Sequence, residues 1–128
     1  MIKLIFMIKR KAGLTSEQFV HHYETRHAGL ALSYLRPFLH GYRRSYPQMG
    51  TSFVAAVSQD GQESDASDFS YDAITEMWLA DRPTMDAMFK LLSDPDVRRV
   101  LGEDEARFID MPSVKMLECV EHESVIHR

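Results

Sequence analysis

At 128 residues, with 45% apolar and 27% charged residues, the chain has the size and composition of one globular domain over 1–128, which excludes a disordered or fibrous protein. The 19 acidic residues outnumber the 15 basic ones, for a net charge of -4, and no basic block is present that would neutralise several phosphates, so nucleic acid is not an expected partner. The single cysteine, Cys119, has no internal disulfide partner and sits in the apolar run VKMLECV, where it reads as packing.

The apolar start MIKLIFMI reaches Lys9 too soon to cross a bilayer and carries no small-residue cleavage site, so the expected location is the cytoplasm, away from any membrane. Within it Ile2, Leu4, Phe6 and Ile8 alternate with Lys3, Ile5, Met7 and Lys9. One face is apolar throughout and the other in its middle, as in a strand covered on both sides. KAGLTSEQF then supplies a turn at Gly13 and a helix cap at Thr15 or Ser16, and helical periodicity runs to about Leu35, before Arg36-Pro37. In this helix Phe19, Tyr23, His27, Leu30 and Tyr34 share an arc of roughly 80°, which is expected to lie on a sheet.

LHGYRRSYP alternates His40, Tyr42, Arg44 and Tyr46 with Leu39, Gly41 and Arg43 and ends at Pro47, as a second strand would. Residues 48–70 are dominated by Ser, Asp, Gln and Gly around a short FVAAV patch. They read as a long surface loop, with a brief strand at that patch and a candidate role as a lid. A third strand is expected in YDAITEMWLA, and a second helix from Pro83 to about Leu92. Another short helix follows in SDPDVRRVLGEDEARFID. A fourth strand in PSVKMLECVEHESV would place Met116, Leu117 and Val120 in the core, leaving 121–128 as a polar tail.

This order, β-α-β, loop, β-α-β, fits an α+β fold of ferredoxin-like, split βαβ type: a four-stranded antiparallel sheet with its helices on one face. The other face, assigned Ile5, Met7, Tyr42, Ile74 and Trp78, would be apolar and bare. Pairing two such faces gives a two-fold homodimer, a dimeric α/β barrel, with a cavity in each half as the expected site.

The stretch MIKLIFMIKRKAGLTSEQFVHHYETRHAGL resembles EthD domains: a first strand, a basic turn ending in G-L-T/S, and a helix carrying an aromatic residue, His27 and Leu30. HGYRRSY, DAITEMWLADRPTMDAM and DPDVRRVLGEDEARFID continue the resemblance over nearly the whole chain, with W-x-x-D and D-E-x-x-F resembling the family's second-half signature; the 48–70 insert and the extra histidines depart from it. The resemblance implies a ferredoxin-like fold and a homodimer without metal or organic cofactor. It also points to small, often aromatic or polyketide-derived ligands, without implying one reaction.

The candidate catalytic residues are His27, His40 and Arg44, and the candidate substrate-binding residues are Tyr23, Tyr42, Tyr46, Glu76 and Trp78. A histidine in an apolar helical stripe can serve as a base or can be a core residue bonded to a carbonyl. His40, Tyr42, Arg44 and Tyr46, expected beside Glu76 and Trp78 on the open side of the sheet, would bind an enol or phenol. Arg44 would stabilise an oxyanion and Trp78 would stack on a ring; alternatively the charged residues form an exposed cross-strand pair and Trp78 fills the dimer interface. Glu103, Asp104 and Glu105 with Asp110 read as a solvated helix end, while their resemblance to D-E-x-x-F hints at a structural or cleft role.

No H-x3-H or C-x2-C pair offers metal ligands, and no G-x-S-x-G, P-loop or dinucleotide-binding pattern occurs. Three functions remain. The first is a cofactor-independent lyase, isomerase or cyclase acting on a small aromatic or polyketide-like compound. The second is a non-catalytic binding or accessory protein, and the third, by fold analogy, is a haem-binding protein ligated through His27 or His40 or a cofactor-free monooxygenase.

Overall fold

A computed structural model describes residues 1–58 and 69–128. Four strands, β1 (Ile2–Ile8), β2 (Gly41–Ser45), β3 (Ala73–Leu79) and β4 (Lys115–Cys119), form one antiparallel sheet in the order β2-β3-β1-β4. The helical segments are α1 (Ser16–His22), a π-helical turn (Tyr23–His27), α2 (Ala28–Leu35), α3 (Phe53–Ser58), α4 (Arg82–Leu92) and α5 (Pro95–Phe108). The fold is ferredoxin-like. No described helix is long and apolar enough to cross a membrane.

The helix starts follow from local chemistry. Thr15 and Gln18 form a reciprocal capping box, Thr15 Oγ1 accepting from the Gln18 amide at 3.1 Å and Gln18 Oε1 from the Thr15 amide at 2.9 Å. Asp81 caps α4 through the Thr84 amide at 2.9 Å, and Asp94 caps α5 through the amides of Asp96 and Val97. Pro83 and Pro95 stand in the first turns, where a missing N–H costs nothing. Gly13, at φ 92°, makes the turn before α1 in a conformation open to glycine and strained for other residues.

Strand register decides what each face carries, because a one-residue slip moves every side chain across the sheet. Leu4, Met77 and Tyr42 stand in one row, and Ile5, Glu76 and Arg43 in the next, on the opposite face. The alternating burial of β3, with Ala73, Thr75, Met77 and Leu79 buried, identifies the first row as the helix-covered face. Tyr42 therefore lies under the helices, whereas Ile5, Met7, Ile74 and Trp78 lie on the open face as expected.

Four expectations are corrected. The FVAAV patch is the short helix α3 rather than a strand, and Phe53, Val54 and Val57 are all exposed. The helix after Asp94 is not short; it runs for 14 residues, because Pro95 and the Asp94 cap start it and no breaker follows until Ile109 takes an extended backbone. Met116, Leu117 and Val120 are exposed rather than core, since β4 is an edge strand and no helix covers it. Finally, the buried stripe of the first helical segment does not continue from His27 to Leu30 and Tyr34. It steps to Ala28, Ala31 and Leu35, because the π-helical turn inserts one extra residue into the helical repeat. Of the 48–70 loop assigned a lid role, residues 59–68 lie outside the described part.

Candidate functional site

Between the helices and the covered face of the sheet lies a cavity of about 270 Å³. Its wall is mainly apolar, with Phe6, Leu35, Met77, Leu92 and Leu101 among its side chains, and its polar groups fall into three sets. Tyr23, Tyr42 and Thr75 form a hydroxyl cluster, with Tyr23 Oη bonded to Thr75 Oγ1 at 2.6 Å and Tyr42 Oη donating to Tyr23 Oη at 3.4 Å. Burial pushes both phenols above their usual range; for Tyr23 the bonds to Thr75 and Tyr42 oppose that rise without cancelling it. The cluster is therefore a set of neutral hydroxyls whose two internal bonds use two of their three protons and leave one to donate into the cavity. Arg98 and Glu105, paired at 3.2 Å, form the second set.

His27 is the third. It closes the π-helical turn and is 6% exposed; its Nδ1 lies 2.9 Å from Oδ2 of Asp104, a residue only 2% exposed on α5. The other carboxylate oxygen, Oδ1, lies 3.0 Å from Nε2 of His22. Burial acts to raise the Asp104 carboxyl, but the hydrogen bonds from His27 and His22 outweigh it and hold the group below its usual value. An ionised carboxylate only accepts, so the facing ring nitrogens carry the protons and the lone pair of a neutral His27 sits on Nε2. No fully buried side-chain nitrogen or oxygen among the described residues lacks a partner. Nε2 of His27, which no described residue bonds, therefore opens onto accessible space, and the ring lines the cavity. Phe108 packs 4.9 Å from the His27 ring and 4.5 Å from that of His22, fixing both imidazoles.

A family model, the EthD domain, matches residues 11–112. The chain belongs to the EthD family. Among solved structures, this EthD chain is similar to an EthD family protein from Bacillus halodurans, at 18% identity and a TM-score of 0.60 over 95% of this chain and 99% of that one. It is also similar to HapK from Hahella chejuensis, at 12% identity and a TM-score of 0.59, covering 100% and 99%. A dimeric protein of unknown function and ferredoxin-like fold from Bacteroides fragilis matches at 9% identity and a TM-score of 0.54, covering 92% and 93%. At these identities the likeness shows the fold. Among curated proteins nothing matches the chain.

In this EthD domain the residues expected to share one cleft are divided by the sheet. His27, Tyr23 and Tyr42 line the cavity on the helix side. Arg44 and Tyr46 lie on that side too but outside the cavity wall. Arg44 pairs with Glu24 through two bonds of 2.8 Å, and the Tyr46 hydroxyl donates to the same carboxylate. The Arg44 bond holds Glu24 at about 2, with the Tyr46 hydroxyl acting in the same direction against burial. Arg44 is thus already neutralised, and its guanidinium stacks on the Tyr42 ring at 4.7 Å, which braces a cavity wall instead of presenting a free cation.

His40, Glu76 and Trp78 stand on the open side. Glu76 meets Lys3 at 2.5 Å, the Trp78 indole donates to Glu121 at 2.8 Å, and His40 borders a shallow depression with Trp78 and Arg43. The β2 register places Arg43, not Arg44, beside Glu76. Among the described residues no group of three or more His, Cys, Asp or Glu side chains is placed to hold a metal.

Asp104 is a further correction, since the solvated helix end expected around it is instead an internal anchor. Three consecutive acidic residues cover about 200° of a helix, and here the middle one, Asp104, faces inward. The signal was the stripe Val97, Leu101, Asp104, Phe108, spaced four, three and four, in which the aspartate occupies a core position.

Proposed function

We propose that this EthD domain is a cofactor-independent enzyme of the lyase, isomerase or cyclase type, acting on a small aromatic or polyketide-like compound bound between its sheet and helices. The observation that carries the reading is an imidazole lining an apolar cavity, with Nδ1 tied to a buried carboxylate and Nε2 free. Such a nitrogen removes a proton from a carbon beside a carbonyl, or from a phenol, and returns it at another atom of the same substrate. The Tyr23–Tyr42–Thr75 cluster supplies the one hydroxyl proton its internal bonds leave free as a donor for the enolate or phenolate oxygen. A closed cavity of about 150 Å³ admits one benzene ring, so 270 Å³ suits one or two fused rings better than a tetrapyrrole. The same apolar lining serves a non-catalytic binding protein equally well, and turnover separates the two readings.

The domain works as a homodimer in this reading. Its open face carries Ile5, Met7, Ile74 and Leu117, the last 52% exposed, around a mixed set of charges in Lys3, Glu76 and Arg43 that suits a second copy of itself. A monomer mass by sedimentation at micromolar concentration would remove that part.

The ligand is sought by thermal denaturation with phenols, naphthols, acetophenones and naphthyl ketones. A compound at 100 times its Kd is expected to stabilise the fold by about 2.7 kcal/mol, a rise of roughly 10 °C. Leu92→Trp, which fills the cavity from a half-buried position, abolishes the rise, while Trp78→Ala on the open face leaves it. The opposite pattern would put the ligand on the open face and overturn the cavity assignment; no rise with any of the compounds would overturn the aromatic ligand.

A further inference from the structure

His22 lies outside the cavity wall, yet it shares the carboxylate that orients His27. Its sequence distance from His27 makes this unexpected. Five residues apart on a regular α-helix, the two side chains would diverge by about 140°. The π-helical turn Tyr23–His27, closed by the Ala28 amide donating to the Tyr23 carbonyl, widens the hydrogen-bond spacing to five residues, and both rings come onto one side. There, Asp104 receives His27 Nδ1 on Oδ2 at 2.9 Å and His22 Nε2 on Oδ1 at 3.0 Å.

The other groups facing Asp104 are Arg107 at 3.4 Å and Arg26 at 3.6 Å, both on Oδ1. Their side chains are 53% and 64% exposed, so they are held loosely in water; that of His22 is 20% exposed and packed on Phe108 at 4.5 Å. Oδ2 is left to His27 alone among the described residues.

We propose that His22 is a positioning residue: by occupying Oδ1 of Asp104 it fixes the plane of the carboxylate, so that Oδ2 holds His27 as the Nδ1–H tautomer and turns its Nε2 toward the cavity. The role rests on the reading of His27 as the base, and it assigns the π-helical turn a purpose, namely to set two histidines on one carboxylate.

The test is nitrogen-15 NMR of the imidazole rings in the full chain, a readout independent of turnover. The wild type is expected to show His27 protonated at Nδ1 with Nε2 bare. His22→Phe keeps a ring against Phe108 but removes the donor, and His22→Asn has an amide too short to reach Oδ1; each is expected to turn the single His27 tautomer into a mixture. His22→Gln, whose longer amide can donate to Oδ1, restores it. An unchanged His27 tautomer in His22→Phe or His22→Asn, with only the melting temperature lowered, overturns the proposal, as does a wild type protonated at Nε2. A tautomer that depends on His22 in a protein whose turnover survives His27→Ala would leave the positioning intact and sink the base assignment alone.

Discussion

Asp104→Ala is expected to destabilise the fold by about 2–4 kcal/mol and to lower the melting temperature by roughly 8–15 °C. The carboxylate is 2% exposed and takes a hydrogen bond from each of two histidines, at 2.9 and 3.0 Å. Alanine leaves the His27 N–H buried without an acceptor, opens a gap beside Phe108, and leaves Arg26 and Arg107 facing each other with no anion between them. His22, half-buried, recovers water at part of that cost, which keeps the loss below that of breaking a fully enclosed pair. Urea denaturation of wild type and variant checks it, and a loss below about 1 kcal/mol would mean the carboxylate is not a structural anchor.

The same group sets a pH dependence. Its folded-state value lies below the ordinary 3.8, so its contribution is fully present above that value and is lost as pH falls through the depressed one. The difference in stability between wild type and Asp104→Ala should therefore shrink in acid below about 4.

His27→Ala is expected to reduce turnover of the cavity's substrate by about 10²–10⁴-fold while the chain stays folded, the usual contribution of a positioned general base. The loss should fall on kcat, because the apolar wall and the hydroxyl cluster that bind the substrate remain in place. Circular dichroism and ligand-induced stabilisation confirm that the site is still formed. If His27→Ala kept turnover within about threefold of wild type, the base would lie elsewhere and the second histidine of the carboxylate would have no chemistry to support.

Much of the fold was legible because its signals are local. The capping box at Thr15 and Gln18, the Asp81 and Asp94 caps with Pro83 and Pro95 behind them, and the alternation in β1 and β3 act between residues a few positions apart. His27 also stood out locally, as an ionisable ring inside an apolar stripe, and its partner occupied a core position of another stripe. The expected cleft was the part that misled. Tyr42, Arg44 and Tyr46 do alternate onto one face, but alternation does not state which face the helices cover, and His40, which precedes β2, leaves the pattern for the open side. Arg44 looked like a free cation because Glu24, which neutralises it, lies on a different element.

The sequence by itself determined the order of the four sheet strands and of the helices other than α3, the ferredoxin-like class and the EthD resemblance, since periodicity, caps and motifs are properties of neighbouring residues. Only the tertiary structure decided that the cavity lies on the helix side, that the helical stripe steps by one residue at the π-helical turn, and that Asp104 is buried. Each of these depends on packing between segments distant in the chain, as the 77 residues separating His27 from Asp104 illustrate. The free energy of burying that charge is recovered only where α5, carrying the carboxylate, packs against the turn that carries the imidazole.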